Sequence, residues 1–225
     1  MNRPFNARSR AALLEECQAT PLDLVVIGGG ITGAGILRDA ALRGFQAALF
    51  EKGDFASGTS SRSSKLIHGG IRYLETWEFG LVFEGLRERR LLLNLAPDWV
   101  HPLPFLFPVY RGHRRGLPTI AAGVFLYHLL SLFRNIQTPR LFAKRAALRA
   151  EPMLRQEGLQ GAVSYYDAVT DDAALTIATV RSAWDHGAVA VNYAEVEGFL
   201  EEGTRIVGVR VRDRRNGKSY HIRAR

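Results

Sequence analysis

A single cysteine, Cys17, stands among 225 residues, which excludes an internal disulfide framework and a cysteine-rich metal site. A reducing, cytoplasmic setting is the expectation. The amino terminus lacks an apolar stretch ahead of a small-residue cleavage site, so no secretory signal is expected. Glu15 and Glu16 oppose a transit-peptide reading of the Arg-bearing first ten residues, and a short surface helix over Ala11 to Cys17 is expected instead. Long apolar runs are missing too. Pro118 to Phe133, charge-free apart from His128, falls short of the roughly 20 apolar residues that a spanning helix needs. Internal repeats and low-complexity tracts are absent, and hydrophobic residues make up 47% of the chain, enough to build a core.

Acidic residues are missing from one region only. Between Arg111 and Arg149 lie eight Lys or Arg and no Asp or Glu, while elsewhere 22 basic residues balance 22 acidic ones. The net charge of +8 is therefore one local patch. A localised excess without a nucleic-acid motif points to a docking surface and away from nucleic acid.

Asp23-Leu24-Val25-Val26-Ile27 reads as a buried strand that runs into Gly28-x-Gly30-x-x-Gly33. Helical spacing follows, with an apolar face expected from Ala34, Ile36, Leu37, Ala40, Ala41 and Leu42, Gly44 closes the helix, and Ala47 to Phe50 form a second strand ended by Glu51. This is a βαβ unit of about 30 residues. Its glycines permit a tight turn, backbone approach to a pyrophosphate and close helix–strand packing. Thr32 lies in the first helical turn, where free N–H groups and the dipole favour phosphate. Glu51 sits where a carboxylate accepts from a ribose hydroxyl, or else is an exposed strand-end acid. The pattern implies a dinucleotide and does not separate FAD from NAD.

Gly53 to Ser64 forms a Gly/Ser/Thr-rich loop. An amphipathic helix is predicted over Phe79 to Leu95, extended chain or short strands through Pro97 to Pro108, and a helix over Ala173 to His186. Strands follow at Val189 to Val191, Val196 to Leu200 and Ile206 to Val211, with a hairpin turn at Asn216-Gly217.

The run from Glu51 through Ser57-Gly58-Thr59-Ser60-Ser61-Arg62-Ser63-Ser64-Lys65-Leu66-Ile67-His68-Gly69-Gly70-Ile71-Arg72-Tyr73-Leu74-Glu75 closely resembles the FAD-dependent glycerol-3-phosphate dehydrogenases. Ile27 to Ile36 fit the same family, as do Tyr165 to Leu175 more loosely. The resemblance runs from about Asp23 to the end. It implies an α/β, glutathione-reductase-like FAD domain of the D-amino acid oxidase group, joined to part of a substrate domain. It also implies oxidation of sn-glycerol 3-phosphate to dihydroxyacetone phosphate, with electrons passing through FAD to ubiquinone or menaquinone. Another FAD-dependent oxidase of this fold, or a non-catalytic nucleotide-binding or membrane-docking protein, are the competing readings.

On that resemblance the cofactor-binding residues are Gly28, Gly30, Thr32, Gly33, Glu51, Lys52, Thr59, Ser60, Ser61, Lys65, Leu66, His68, Gly69 and Val196. The catalytic set is His68, Arg72 and Tyr73. The hydroxyls of Thr59, Ser60 and Ser61 suit flavin phosphates and ribityl chain, or else belong to a polar loop. His68 is the candidate for stabilising negative charge on oxygen and on the reduced flavin, against a structural role. Arg72 suits bidentate phosphate binding, with Tyr73 donating to the same group, and its plainer reading is an ion pair with Glu75 or Glu78.

The apolar stretch at Pro118 is preceded by Arg111, Arg114 and Arg115 and followed by Arg134, Arg140, Lys144, Arg145 and Arg149. That arrangement suits an anionic membrane surface, or a buried substrate-domain helix with a basic rim. The expected organisation is a tail or helix over 1–20, the FAD-binding unit over 21–95, an inserted substrate- or membrane-facing segment over 96–165, and a return to the FAD domain as a β-meander over 166–225. The chain is expected to be the amino-terminal portion of a longer enzyme, peripheral on the inner face of the cell membrane. A homodimer is the candidate assembly. Alone, residues 1–225 are expected to bind FAD poorly and not to turn over.

Overall fold

The computed structural model describes residues 5–131 and 136–225. Arg3, at the amino terminus, and Leu132, Phe133 and Arg134, which end the apolar stretch and begin the cations after it, lie outside the described residues. The helices are α1 (Arg10–Ala19), α2 (Ile31–Leu42), α3 (Phe79–Leu95), α4 (Leu117–Leu130), α5 (Lys144–Ala150) and α6 (Asp172–Asp185). The strands are β1 (Leu24–Ile27), β2 (Ala47–Phe50), β3 (Leu66–Ile67), β4 (Val100–Tyr110), β5 (Arg140–Ala143), β6 (Leu159–Thr170), β7 (Val189–Val191), β8 (Ala194–Glu202), β9 (Arg205–Asp213) and β10 (Ser219–Arg223). Two compact units result, Met1–Ser64 with Asp171–Arg225, and Lys65–Thr170.

In the first unit β1, β2 and β7 form a parallel sheet with β2 in the middle, pairing Leu24 with Ala47 and Ala48 with Val189. All four residues of β2 are buried, because both faces of a parallel sheet are covered. Alternation along the strand divides them. Ala47 and Leu49 pack with Ala34, Leu37 and Ala40 of α2 and with Val180 and Ala183 of α6, whose small side chains let the helices lie close. Ala48 and Phe50 face the opposite way, into a core with Leu14, Trp184, Val209, Val211, Tyr220 and Ile222. Each large apolar side chain fully buried there contributes about 1.5–3 kcal/mol. Asp171 caps α6, its carboxylate accepting from the Ala173 and Ala174 N–H groups at 3.1 Å.

The second layer of that core is the antiparallel sheet β8-β9-β10. Helix α1, expected as a surface helix, instead buries Arg10, Leu13, Leu14 and Cys17. The β9–β10 turn is longer than the two-residue hairpin that Asn-Gly favours. Asp213 N–H donates to Lys218 O at 2.8 Å across four intervening residues, and only Gly217 of these takes a positive φ (76°). Asn216 serves through its side chain, accepting from Lys218 N–H at 2.9 Å.

The second unit is organised by β6, which pairs antiparallel with β4 on one side and with β3 and β5 on the other. The proline-marked segment is one 11-residue strand rather than several short ones. Pro102, Pro104 and Pro108 share one parity on β4, so their missing N–H groups fall together on the edge away from β6, the one place in a sheet where proline removes no ladder bond. Helices α3 and α4 pack on β6 through Val82, Leu86, Ala121, Val124, Tyr127, Val163 and Tyr165. The unit begins at Lys65, 31 residues before the expected insertion at 96, because β3 already pairs with β6 and α3 shares this core.

Candidate functional site

In the first unit β1 delivers the chain into the glycine turn. Gly28 takes φ +105°, and its N–H donates to Phe50 O at 2.9 Å. A Cβ on Gly33 would collide with the Gly28 carbonyl oxygen, so helix and turn approach as closely as they do only because that side chain is missing. Helix α2 then starts behind Gly30 with no side-chain cap, which leaves its positive end open toward a ligand. Thr32 is exposed in that first turn. Ser60 lies in a 3-10 turn over Thr59–Ser61, and its Oγ accepts from Ile31 N–H at 2.9 Å. Its own proton remains available to a phosphate oxygen. Thr59 and Ser61 are exposed beside it.

Glu51 does more than end a strand. One carboxylate oxygen accepts from Gly29 N–H and the other from Gly53 N–H, each at 2.7 Å. The acid therefore ties the glycine turn to the loop after β2, and each oxygen keeps a lone pair for a ribose hydroxyl. Ala56 N–H donates to Gly29 O at 2.9 Å, which fixes that loop against the turn from the other side. These features fit a dinucleotide: a turn with open space at the Gly28 Cβ position, a helix start whose N-cap residue, Gly30, brings no side chain, and a carboxylate at the end of β2. Lys52 is exposed, with its carbonyl accepting from Arg214 Nη1 at 3.2 Å. Val196 is half-buried on β8 against the core, beside a register irregularity in the β8–β9 ladder.

In the second unit Lys65 takes φ +60° and its carbonyl accepts from Thr170 N–H at 2.9 Å, while Leu66 pairs with Val169 in β3. His68 is exposed, and its Nδ1 accepts from Gly70 N–H at 2.9 Å. Gly69 is buried, with its N–H donating to Tyr127 Oη at 2.7 Å. A 3-10 turn follows over Ile71–Leu74, and Tyr73 lies against Gly70, where a Cβ would overlap its ring.

Arg72 lines a cavity of about 310 Å³ together with Glu75, Phe107, Arg115, Thr119 and Tyr165. The expected ion pair of Arg72 with Glu75 or Glu78 is not formed among the described residues. Glu75 pairs with Arg115 at 3.5 Å, and Glu78 accepts from Thr76 Oγ1 at 2.8 Å. Neither His68 nor Tyr73 lines that cavity, so the three expected catalytic residues are not brought into one pocket within this unit.

Beneath the turn lies a buried polar group that periodicity and motif reading did not single out. Tyr127 Oη donates to Asp167 Oδ1 at 2.8 Å, Arg89 Nη1 pairs with the same oxygen, and Arg89 Nη1 also donates to Tyr166 O at 2.8 Å. Burial pushes the Asp167 carboxyl above its usual range, against the opposing pull of Arg89 and Tyr127. Burial raises the Tyr127 hydroxyl further, and the Asp167 charge adds to it. A signal was available for Arg89: it falls on the Val82–Leu86 stripe of α3, where an unpaired cation would not be tolerated.

Comparisons with known proteins agree with this geometry. The family profile described as FAD dependent oxidoreductase matches residues 23–224. A glycerol-3-phosphate dehydrogenase of Mycobacterium leprae is 48% identical over 217 residues, covering 96% of this chain and 37% of the relative. An aerobic glycerol-3-phosphate dehydrogenase of Bacillus subtilis is 38% identical over 225 residues, covering 100% of this chain and 40% of its own. The crystal structure of the glycerol-3-phosphate dehydrogenase from Bacillus halodurans complexed with FAD superposes with a TM-score of 0.75 at 35% identity, over 98% of this chain and 36% of that one. The chain thus spans about 36–40% of the length of these relatives. A glycine turn alone left the dinucleotide open, and the match over residues 23–224 closes that question: the chain belongs to the FAD-dependent oxidoreductase family.

Proposed function

We propose that this chain carries the FAD cradle and part of the substrate pocket of an enzyme that oxidises sn-glycerol 3-phosphate to dihydroxyacetone phosphate, passing the electrons to a membrane quinone. The observation that carries the substrate is Arg72. Its guanidinium lies in a cavity beside Arg115 and forms no ion pair among the described residues, as a group kept for a phosphate dianion should. The similarity to relatives named glycerol-3-phosphate dehydrogenase supports the same reading.

Bound FAD would supply the hydride acceptor for the carbinol carbon. Gly28, Gly30, Gly33 and Thr32 would hold its pyrophosphate at the start of α2, Ser60 would donate its hydroxyl proton there, and Glu51 would accept from the ribose. His68 contributes a hydrogen bond to the oxygen that gains negative charge. Arg72 fixes the phosphate end, so that the carbinol carbon is oriented before reaction. The enzyme works peripherally on the inner face of the cell membrane, a reading supported by the exposed Phe125, Leu126 and Leu129 on α4 and by the acid-free cationic stretch around it.

The test is a titration of the isotopically labelled chain followed by NMR. Glycerol 3-phosphate and inorganic phosphate should both shift the Arg72 Nε–H signal, while glycerol and glycine leave it in place. A response to glycine with none to glycerol 3-phosphate would instead identify an amine-oxidising member of the fold.

A further inference from the structure

The His68-Gly69-Gly70 turn presents two consecutive backbone N–H groups, and each is taken by a side chain. Gly69 N–H goes to Tyr127 Oη at 2.7 Å, and Gly70 N–H goes to His68 Nδ1 at 2.9 Å. The chemistry of the groups fixes the direction of every link. A backbone N–H can only donate, and Asp167 Oδ1, which already takes a proton from the Arg89 guanidinium, accepts from Tyr127 as well. Tyr127 has one hydroxyl proton, and it is committed to Asp167 Oδ1 at 2.8 Å, so its lone pair is what Gly69 N–H meets. By the same reasoning His68 Nδ1 must carry a lone pair. The neutral ring then holds its proton on Nε2.

We infer that Tyr127, oriented by Asp167 and Arg89, is a positioning residue that sets the His68-Gly69-Gly70 turn and thereby holds neutral His68 as an Nε2–H donor. The inference rests on the proposed function only for what that donor faces. It assigns His68 hydrogen-bond donation to the substrate oxygen or the flavin, rather than proton removal by a free Nε2 lone pair.

Two further features carry the argument. Close approach at Gly69 is enforced: a Cβ there would lie 2.6 Å from Tyr127 Oη and 2.6 Å from Leu86 Cγ, so the amide reaches the hydroxyl only because the side chain is missing. The group is also an expensive way to fill a core. A buried ion pair and a buried phenol are often replaceable by apolar residues without loss of stability. What apolar residues cannot supply is an acceptor for a buried backbone N–H at a chosen angle. Arg89, Tyr127 and Asp167 come from α3, α4 and β6, so the turn is referenced to three elements at once.

The experiment needs neither FAD nor substrate, so its outcome is independent of the enzymatic reading. Amide hydrogen exchange and imidazole ¹⁵N shifts would be measured on the labelled chain, on Tyr127→Phe, and on Val124→Ala as a control that loosens the same helix packing without touching the hydrogen bonds. The unaltered chain should show a protected Gly69 amide and His68 in the Nε2–H form. In Tyr127→Phe the Gly69 amide should exchange about ten-fold or more faster than in Val124→Ala, and His68 should become a mixture of tautomers. Equal exchange in the two variants, with an unchanged His68 tautomer, would mean that Tyr127 only fills space. Should Tyr127→Phe fail to fold, the unaltered chain still decides: an unprotected Gly69 amide, or a neutral His68 protonated on Nδ1, overturns the inference.

Discussion

Arg10 and Asp213, more than two hundred residues apart in sequence, form an ion pair of 3.1 Å with both side chains more than nine-tenths buried. Arg10 also donates to Asn192 O through Nε at 3.0 Å and Nη2 at 2.7 Å, so the helix that opens the chain is fastened to the segment after β7 and to the end of β9. Taking away one member leaves an uncompensated buried charge. Arg10→Met should cost about 3–5 kcal/mol in urea unfolding. Arg10→Met with Asp213→Leu should recover a large part of that loss, since an apolar pair removes both charges together. A single substitution that shifts the midpoint no more than an exposed control would show that α1 is dispensable to this unit.

Two glycines of α2, two residues apart, should respond oppositely to alanine. At Gly33 a Cβ collides with the Gly28 carbonyl, so the helix must move away from the turn proposed to hold the pyrophosphate. At Gly35 a Cβ meets nothing within 4 Å and the residue lies inside the helix. Gly35→Ala should therefore stabilise by about 0.5–1 kcal/mol through reduced backbone freedom. Gly33→Ala should destabilise and abolish any quenching of flavin fluorescence by the chain. Thermal melts and a flavin titration of both variants check the pair, and Gly33→Ala with undiminished flavin binding would refute the cradle.

Much of the first unit was legible because its determinants are local. Asp23 to Glu51 contain strand, turn, helix and second strand within one short segment, each with its own periodicity and stop residue. Gly44 likewise marks a helix end where sequence alone places it. What was not legible depends on partners distant in the chain. Helix α1 read as a surface element because its apolar face has no meaning until β10 supplies Tyr220 and Ile222. The prolines of β4 argue against a strand until β6 shows that their parity leaves the ladder intact. Gly69 was named from its motif, but its link to Tyr127, and that of Tyr127 to Asp167, escaped for the same reason: each spans 40 residues or more, and no local pattern records it.

Tyr165 gives a pH dependence with a definite sign. Burial first, and the Asp167 charge second, push its hydroxyl up to about 12 from an ordinary 10.0. Between those values the unfolded chain has lost the proton and the folded chain still holds it. Stability therefore falls as pH rises from about 10 to about 12, by roughly 2–3 kcal/mol from this group. The ring stacks on Phe105 at 5.1 Å between centroids, and Tyr165→Phe keeps that contact. The variant should flatten the alkaline stability curve in this window relative to the unaltered chain. Unfolding followed at several alkaline pH values, with tyrosinate absorbance as a second signal, tests this; parallel curves for the two proteins would rule the contribution out.

Helix α4 buries Ala121, Val124 and Tyr127, so one face of the apolar stretch belongs to the core, and it leaves Phe125, Leu126 and Leu129 exposed on a face uncovered in this unit. No helix among the described residues is long and apolar enough to cross a membrane. Of the neighbouring cations, Arg111, Arg114, Arg140, Lys144, Arg145 and Arg149 are exposed. Each contributes about 1 kcal/mol toward an anionic surface at low salt. That attraction is screened as the Debye length falls from about 30 Å at 0.01 M to about 3 Å at 1 M, whereas apolar insertion is not. Vesicles containing acidic lipid should therefore retain the chain at low salt and release only part of it at high salt. Replacing Phe125 and Leu129 by serine should convert partial release into complete release while leaving retention at low salt largely intact. Sedimentation with neutral and acidic vesicles reads both effects, and indifference to lipid charge would remove the membrane from the proposed function.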